Sequence, residues 1–241
     1  MAAFAARDVP LRVVETRLVP GAAIAVGEEV LLSADVPLLR RSLTSTSAGA
    51  RSLVESDRVV LGDVEARASY SAFRTSSRRI SVHAGVKAPT APLERDAGGR
   101  FVPTDLQPGC GAIVPVVGAT YTVTRTMFSF WTSASFLMPV SVRSGPHPGD
   151  SLRASFTTQV QPLGVFAARV GVFGRLDSAG EVDDQVDRRS GGAAVFVTSE
   201  VVVSPVPQLV VTAGAALPVV QETRGYRVTA PIALAGVGWD F

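Results

Sequence analysis

Phe128-Ser129-Phe130-Trp131-Thr132-Ser133-Ala134-Ser135-Phe136-Leu137-Met138-Pro139-Val140-Ser141-Val142-Arg143 is the stretch that decides the fold. Phe128, Phe130, Thr132, Ala134, Phe136, Met138, Val140 and Val142 fall on one side of an extended chain. Ser129, Trp131, Ser133, Ser135, Leu137, Pro139, Ser141 and Arg143 fall on the other. The period is two, that of a strand, and not the 3.6 of a helix. Downstream, Leu152, Ala154, Phe156, Thr158 and Val160 alternate with Ser151, Arg153, Ser155, Thr157, Gln159 and Gln161. Upstream, Ile80, Val82, Ala84 and Val86 alternate with Ser81, His83, Gly85 and Lys87. Val64, Ala66, Ala68 and Tyr70 alternate with Asp63, Glu65, Arg67, Ser69 and Ser71.

Applied to the whole chain, this pattern predicts strands at 17–26, 29–41, 60–73, 79–90, 110–124, 127–143, 151–161, 164–177, 193–204, 208–221 and 227–241. The connections alternate in length. Short ones fall at Gly27-Glu28-Glu29, Arg74–Ser77, Arg125-Thr126, Pro162-Leu163 and Pro205–Pro207. Long ones fall at Ser42–Leu61, Pro92–Gly109, Ser144–Asp150, Asp177–Gly192 and Glu222–Tyr226. Up-and-down membrane barrels sort their loops in this way, with short periplasmic turns and long extracellular loops. A soluble sandwich has no reason to. The strands also exceed the roughly 5–6 residues usual in soluble sheets, and suit a tilted bilayer span of about 9–11 residues with rim extensions.

Composition agrees. The 241 residues are 46% hydrophobic and 18% charged, with a net charge of +2 and a mean hydropathy of +0.29. Disorder is excluded by the low charge and high hydrophobicity. A single Cys excludes a disulfide scaffold and a Cys-rich zinc site. Arg spread along a nearly neutral chain is a poor nucleic-acid footprint, so no nucleic-acid partner is expected. No run of about 18 apolar residues offers a membrane helix; Leu209–Val220 is broken by Thr212, Gly214 and Pro218. The expected fold is therefore all-β: one antiparallel up-and-down transmembrane barrel over residues 1–241. Counting back from Phe241 leaves the strand at 17–26 running downward, so a first upward strand is expected before it. The barrel would have about twelve strands when complete and eleven or twelve in this chain. Residues 1–16 are expected to be poorly ordered or a remnant of that first strand. Met1–Arg7 does not read as a secretory signal, which suggests a late start.

At the C-terminus, Ala233, Ala235, Val237, Trp239 and Phe241 share one face, and the chain ends on an aromatic. Such a strand resembles the insertion signal of bacterial outer-membrane barrels. Val237, Trp239 and Phe241 would address the barrel-assembly machinery, unless this is an ordinary last strand that happens to end in Phe. Val59-Val60-Leu61-Gly62-Asp63-Val64 resembles the GLGD strand start of one group of such barrels. Ala84–Pro92 resembles its AGxKxPT strand end, and Asp105–Gly111 its LQPGxG strand start, with Ser33–Pro37 fitting the preceding strand. The group comprises the transporter-like barrels related to proteins of the meta-pathway of phenol degradation. The resemblance runs from about residue 12 onward and rests on the order of several short motifs. Cys110 departs from the small hydroxyl residue expected there. The resemblance implies an outer-membrane location and passage of small, hydrophobic compounds, and it carries over no catalytic residue.

If apolar faces meet lipid, the alternate faces line the interior. That places Asp35, Asp63, Glu65, Arg67, His83, Lys87, Arg143, Arg153, Arg169, Arg175 and Glu200 in the lumen or at its mouth. Buried charges need partners, and Arg67, Arg153 and Arg169 are expected to pair with Glu65, Asp63 or Glu200 across neighbouring strands. The charges form either a selective constriction or, the favoured reading, a structural salt-bridge lattice. An enzyme is not expected. Only His83 and His147 exist, there is no G-x-S-x-G elbow, and His147 in Gly145–Gly149 reads as a solvent-exposed loop residue. The acidic loop with Asp177, Glu181, Asp183, Asp184 and Asp187 lacks EF-hand spacing, so it reads as solvated rather than metal-binding. No metal or cofactor is expected. Trp131 should face inward, while Trp239, Phe241, Phe128 and Phe130 should form a lower aromatic girdle. The expected role is a passive outer-membrane channel or transporter for a small hydrophobic or anionic solute, with membrane lipid and that solute as partners. The alternatives are a structural or interaction barrel with a filled lumen, or a soluble β-barrel binding a hydrophobic ligand.

Overall fold

The structure is a computed structural model that describes residues 11–45, 56–95, 101, 104, 107–141, 145–182, 185–188, 190–224 and 229–240. Among them lie β1 (Leu11–Leu18), β2 (Gly21–Val26), β3 (Val30–Asp35), β4 (Leu38–Ser45), β5 (Ser56–Leu61) and β6 (Glu65–Arg74). Then come β7 (Arg78–Lys87), β8 (Ala112–Thr124), β9 (Phe128–Leu137), β10 (Val140–Ser141), β11 (Pro146–His147) and β12 (Ser151–Leu163). The last are β13 (Phe166–Asp177), β14 (Gly180–Val182), β15 (Gln185–Asp187), β16 (Gly192–Val206), β17 (Leu209–Thr223) and β18 (Ile232–Trp239). Val, Ile, Phe and Thr fill the longer strands, and such branched and aromatic side chains suit a pleated surface.

Eleven of these strands form one sheet in the order β18-β17-β16-β13-β12-β9-β8-β7-β6-β3-β2. Every neighbouring pair is antiparallel, as in an up-and-down meander. They correspond one for one to the eleven strands expected from the alternation. Short turns join the strands at one end of the sheet and long connections join them at the other. One turn lies two residues later than expected. β12 runs through Pro162, and the turn is Gly164-Val165. The register shifts between Val160 and Leu163, so Pro162, which has no N–H, sits where the ladder is already irregular.

Three strands project beyond the long-loop end. β4 pairs with β1 and β5 in a sheet of its own. Leu18 faces Leu38 and Gly21 faces Asp35, so β1 and β2 keep a single register against β3 and β4. The break between them falls at Pro20 and Pro37, which cannot donate. Val36 N–H bridges it by donating to Pro20 O at 2.9 Å. Leu11–Thr16, expected to be poorly ordered or part of a separate first strand, thus form the upward extension of β2, paired with β4.

Among the described residues β2 pairs only with β3, and β18 only with β17. These two strands are the ends of the sheet. The side chains of β2 are exposed throughout, and those of β18 nearly so. In β6 and β9, by contrast, exposed positions alternate with half-buried ones.

Candidate functional site

The register fixes which residues share a face, because directly paired positions point the same way. One face carries Ile80, Val82, Phe130, Phe136, Phe156, Val170, Val172 and Val201, all exposed. Tyr121, Phe130 and Phe156 form an aromatic run on it, with ring centroids 6.5 and 6.4 Å apart. Phe128, Val237 and Trp239 are also exposed on this outer face, while Phe241 lies outside the described residues. The opposite, inner face carries Ser69, His83, Gly118, Ser133, Ser135, Ser155, Thr157 and Thr198 along neighbouring strands. Trp131 belongs to it.

The candidate interior charges fall into clusters on this inner wall. Arg67 pairs with Glu65 on the same strand, and Asp35 lies opposite Glu65 on β3. Arg169 donates to Glu200 at 2.8 Å and to Gln159 at 3.0 Å, and its guanidinium stands 5.0 Å from the Trp131 ring centre. The Arg169–Glu200 pair joins neighbouring strands, as expected, whereas Arg67–Glu65 lies within one strand. His83 Nε2 lies 3.0 Å from the Ser135 hydroxyl, a bond that spans Gly118 on the intervening strand. A Cβ at Gly118 would stand 2.5 Å from that nitrogen, so the glycine makes room for the ring. Arg153 faces Arg175 directly, and Arg175 Nε is 3.6 Å from Asp177. Arg143 lies outside the described residues.

Asp63 sits at the long-loop end of the inner face, beside Lys87 of β7. Its side chain is fully buried in front of β6, with Lys87 Nζ 3.9 Å away. Ala91 N–H donates to one carboxylate oxygen at 3.0 Å and Cys110 N–H to the other at 2.6 Å. Next to it, Thr90 donates to Gly62 O at 2.7 Å and accepts from Val64 N–H at 2.9 Å. The three motifs that carried the sequence resemblance therefore meet at one carboxylate. Gly109 is needed for this approach, because a Cβ there would lie 2.6 Å from Asp63 Oδ1. Farther along the connection, Gln107 clamps the Glu94 backbone with two bonds, and Arg41 holds the Glu94 carboxylate at 2.7 Å. Burial first, then the hydrogen-bonded Asp63 carboxylate, push the Cys110 thiol from 9.0 up to about 11.

These contacts cover the long-loop end of the inner face. Cys110, Val114, Val116 and Leu137 form a buried apolar cluster there. Toward the short turns, inner positions such as Ser81, Thr122, Ser129 and Trp131 are only half-buried or exposed. His147 belongs to the cover and is not solvent-exposed. It is buried, paired in β11 against Glu181 of β14, with Nε2 3.9 Å from the Glu181 carboxylate. The loop folds back onto its neighbour, which a turn-rich Gly-Pro-His-Pro-Gly string does not disclose. In the acidic loop, Asp177 turns inward to accept from Ser151 at 2.6 Å, and Asp183 and Asp184 lie outside the described residues. Among the described residues no three His, Cys, Asp or Glu side chains converge as a metal site.

No family model matches the sequence, and no curated protein is similar to it. A solved structure is. The crystal structure of an outer-membrane channel from Pseudomonas putida F1 superposes with a TM-score of 0.67 at 12% sequence identity. The match covers 95% of this chain and 83% of that one. The fold is that of an outer-membrane channel. At 12% identity the likeness speaks for architecture and not for the inner-wall residues.

Proposed function

We propose that the chain is a passive channel of a bacterial outer membrane, carrying a small solute past its polar inner wall. The carrying observation is the reversal of polarity on a channel fold. Large apolar side chains are exposed on the outer face, while hydroxyls and paired charges line the other. Exposed apolar patches beyond a few hundred Å² are rare on soluble monomers, and lipid accounts for an apolar coat of this kind. No helix among the described residues is long and apolar enough to cross a membrane, so crossing falls to the strands. Insertion would use the exposed Val237 and Trp239 of β18 as the address for the assembly machinery. The ordered motifs around Asp63 favour kinship with the transporter-like barrels of phenol degradation, and with it a small solute of partly hydrophobic character. No catalytic step or cofactor is part of this reading.

The covered long-loop end favours a second reading, a barrel closed at rest or filled. Planar-bilayer recording on the purified protein separates the two. Steady, salt-dependent conductance after verified insertion is the expected result. Its complete absence would leave a structural barrel. Heat-modifiable gel migration and dependence on detergent are expected as well, and a protein soluble without detergent would remove the membrane assignment.

A further inference from the structure

Two arginines stand on the outer side of the short-turn rim. Arg78 opens β7 and pairs across the ladder with Val123, which pairs in turn with Phe130 of the outer face. Arg125 lies two residues beyond Val123, where the β8–β9 turn begins, and its N–H donates to Phe128 O at 2.7 Å. Thr124 N–H donates to Ser77 O at 2.9 Å and ties this turn to the one before β7. Arg78 and Arg125 are therefore diagonal neighbours on one face, about 7–8 Å apart. Both are exposed, and among the described residues neither has a side-chain partner. Beside them the outer face is apolar and exposed, with Phe73 opposite Ile80 and with Met127 and Phe128 in the next hairpin. No acidic residue lies in Arg74–Arg78 or in Thr124–Phe128. Glu28, one turn away, stands 3.5 Å from Arg74, which pairs with Arg79 on the inner side.

We propose that Arg78 and Arg125 form, with Phe73, Met127 and Phe128, a binding site for an anionic diacyl phospholipid of the periplasmic leaflet. The two guanidiniums hold the headgroup phosphate from either side, and an acyl chain lies along the apolar side chains. Short turns mark the periplasmic rim of such barrels, so the headgroups of that leaflet lie at the height of these arginines. A guanidinium fork matches phosphate oxygens with parallel N–H···O bonds. A bound phosphate also offsets the repulsion between two like charges on one face of a sheet. Two observations select a lipid over a free anion. The charges sit on the outer side of the sheet and not on the lumen wall. The apolar coat runs without a break from Phe130 and Ile80 down to them. The site rests on the membrane reading and goes beyond it, because it assigns one lipid class to one stretch of the rim.

The test holds the purified full chain at low salt in mixed micelles of a neutral detergent with dimyristoyl phosphatidylglycerol or dimyristoyl phosphatidylcholine. Retained lipid is measured by native mass spectrometry, on protein whose folding is checked by heat-modifiable migration. Phosphatidylglycerol is expected to be retained preferentially. Each arginine beside an anionic lipid surface contributes about fivefold in binding. Arg78→Gln combined with Arg125→Gln should therefore lower phosphatidylglycerol retention by about twenty-five-fold. The effect on phosphatidylcholine should be far smaller, because its choline already offsets the phosphate. Phe128→Ala should lower both lipids alike, and Arg188→Gln, on the opposite rim, neither. Equal retention of the two lipids, or phosphatidylglycerol retained unchanged by the double variant, overturns the site. Displacement of phosphatidylglycerol by an equal concentration of inorganic phosphate overturns the assignment to a lipid. A chain that stays soluble without detergent removes the membrane reading and the site with it. Insertion without lipid preference removes the site alone.

Discussion

Removing the Asp63 carboxylate would leave the N–H groups of Ala91 and Cys110 facing nothing and the Lys87 ammonium without its neighbour. Removing a fully buried, hydrogen-bonded carboxylate and leaving its partners in place costs about 3 kcal/mol. Asp63→Ala is therefore expected to lower the temperature at which the folded band converts on heating, with Asp63→Asn falling in between because its amide oxygen can still accept. The neighbouring thiol gives a second handle. Its pKa of about 11 lies above its ordinary value, so the proton is held more tightly in the folded state. The associated stability is full below pH 9 and is lost as pH rises through 11. Cys110 should resist alkylation by maleimide at pH 8 until the protein is unfolded, because the thiolate is the nucleophile. Fast labelling of folded protein would contradict its burial. The residues of this clasp were legible only as strings. Gly-Asp, Pro-Thr and Pro-Gly-Cys stand in the sequence, but nothing in their spacing says that two backbone amides converge on one carboxylate.

Adjacent positions on one strand should respond oppositely to charge. Val82 is exposed on the outer face of β7 and Ser81 points inward. An arginine on a lipid-facing strand near the bilayer midplane costs about 2–4 kcal/mol. Val82→Arg is expected to lose stability on that order in urea unfolding from liposomes, and Ser81→Arg little. Equal losses would mean that the two faces are not lipid and lumen. Strand position and face were readable at this scale because period two is written into every element, as in Phe128–Leu137. Register was not, and register is what sets Arg153 beside Arg175 and His83 within reach of Ser135. Each pairing depends on where a neighbouring strand stops, and a one-residue slip would exchange every partner. Pro20, Pro37 and Pro162 show the same limit. A missing N–H forbids a regular ladder bond, yet does not tell whether the strand ends, bends or resumes.

Among the described residues, eleven alternating strands leave β2 and β18 running in the same direction, toward the short turns. Side by side they would be parallel, unlike every other pair in the sheet. Unpaired edge groups are costly in an apolar surround, and one strand running the other way would satisfy both edges. Neighbouring strands lie about 4.8 Å apart, so an intervening strand would hold β2 and β18 at about twice that. In a Cys110→Ser background, Ile24→Cys with Ala235→Cys, both on the outer face, is expected to give no direct disulfide, since Cα atoms more than about 7 Å apart cannot be bridged, and to be captured by a longer bis-maleimide. A zero-length disulfide would show that the two edges meet directly. The strand count and up-down order were legible from loop lengths. The inward-folded cover was not, because long loops read the same whether they stand out from a rim or fold across it.

The cover sits at one end, and Arg153 and Arg175 lie nearer to it than to the short turns. Fixed charge placed off-centre in a conduit covered at one end breaks the symmetry between the two directions of flow. Ions driven by one polarity accumulate beside the charge, and those driven by the other are depleted from it. A barrel with this layout would behave as a rectifier, passing unequal currents when the voltage is reversed, and the sense of that inequality would report which way round it sits in the membrane.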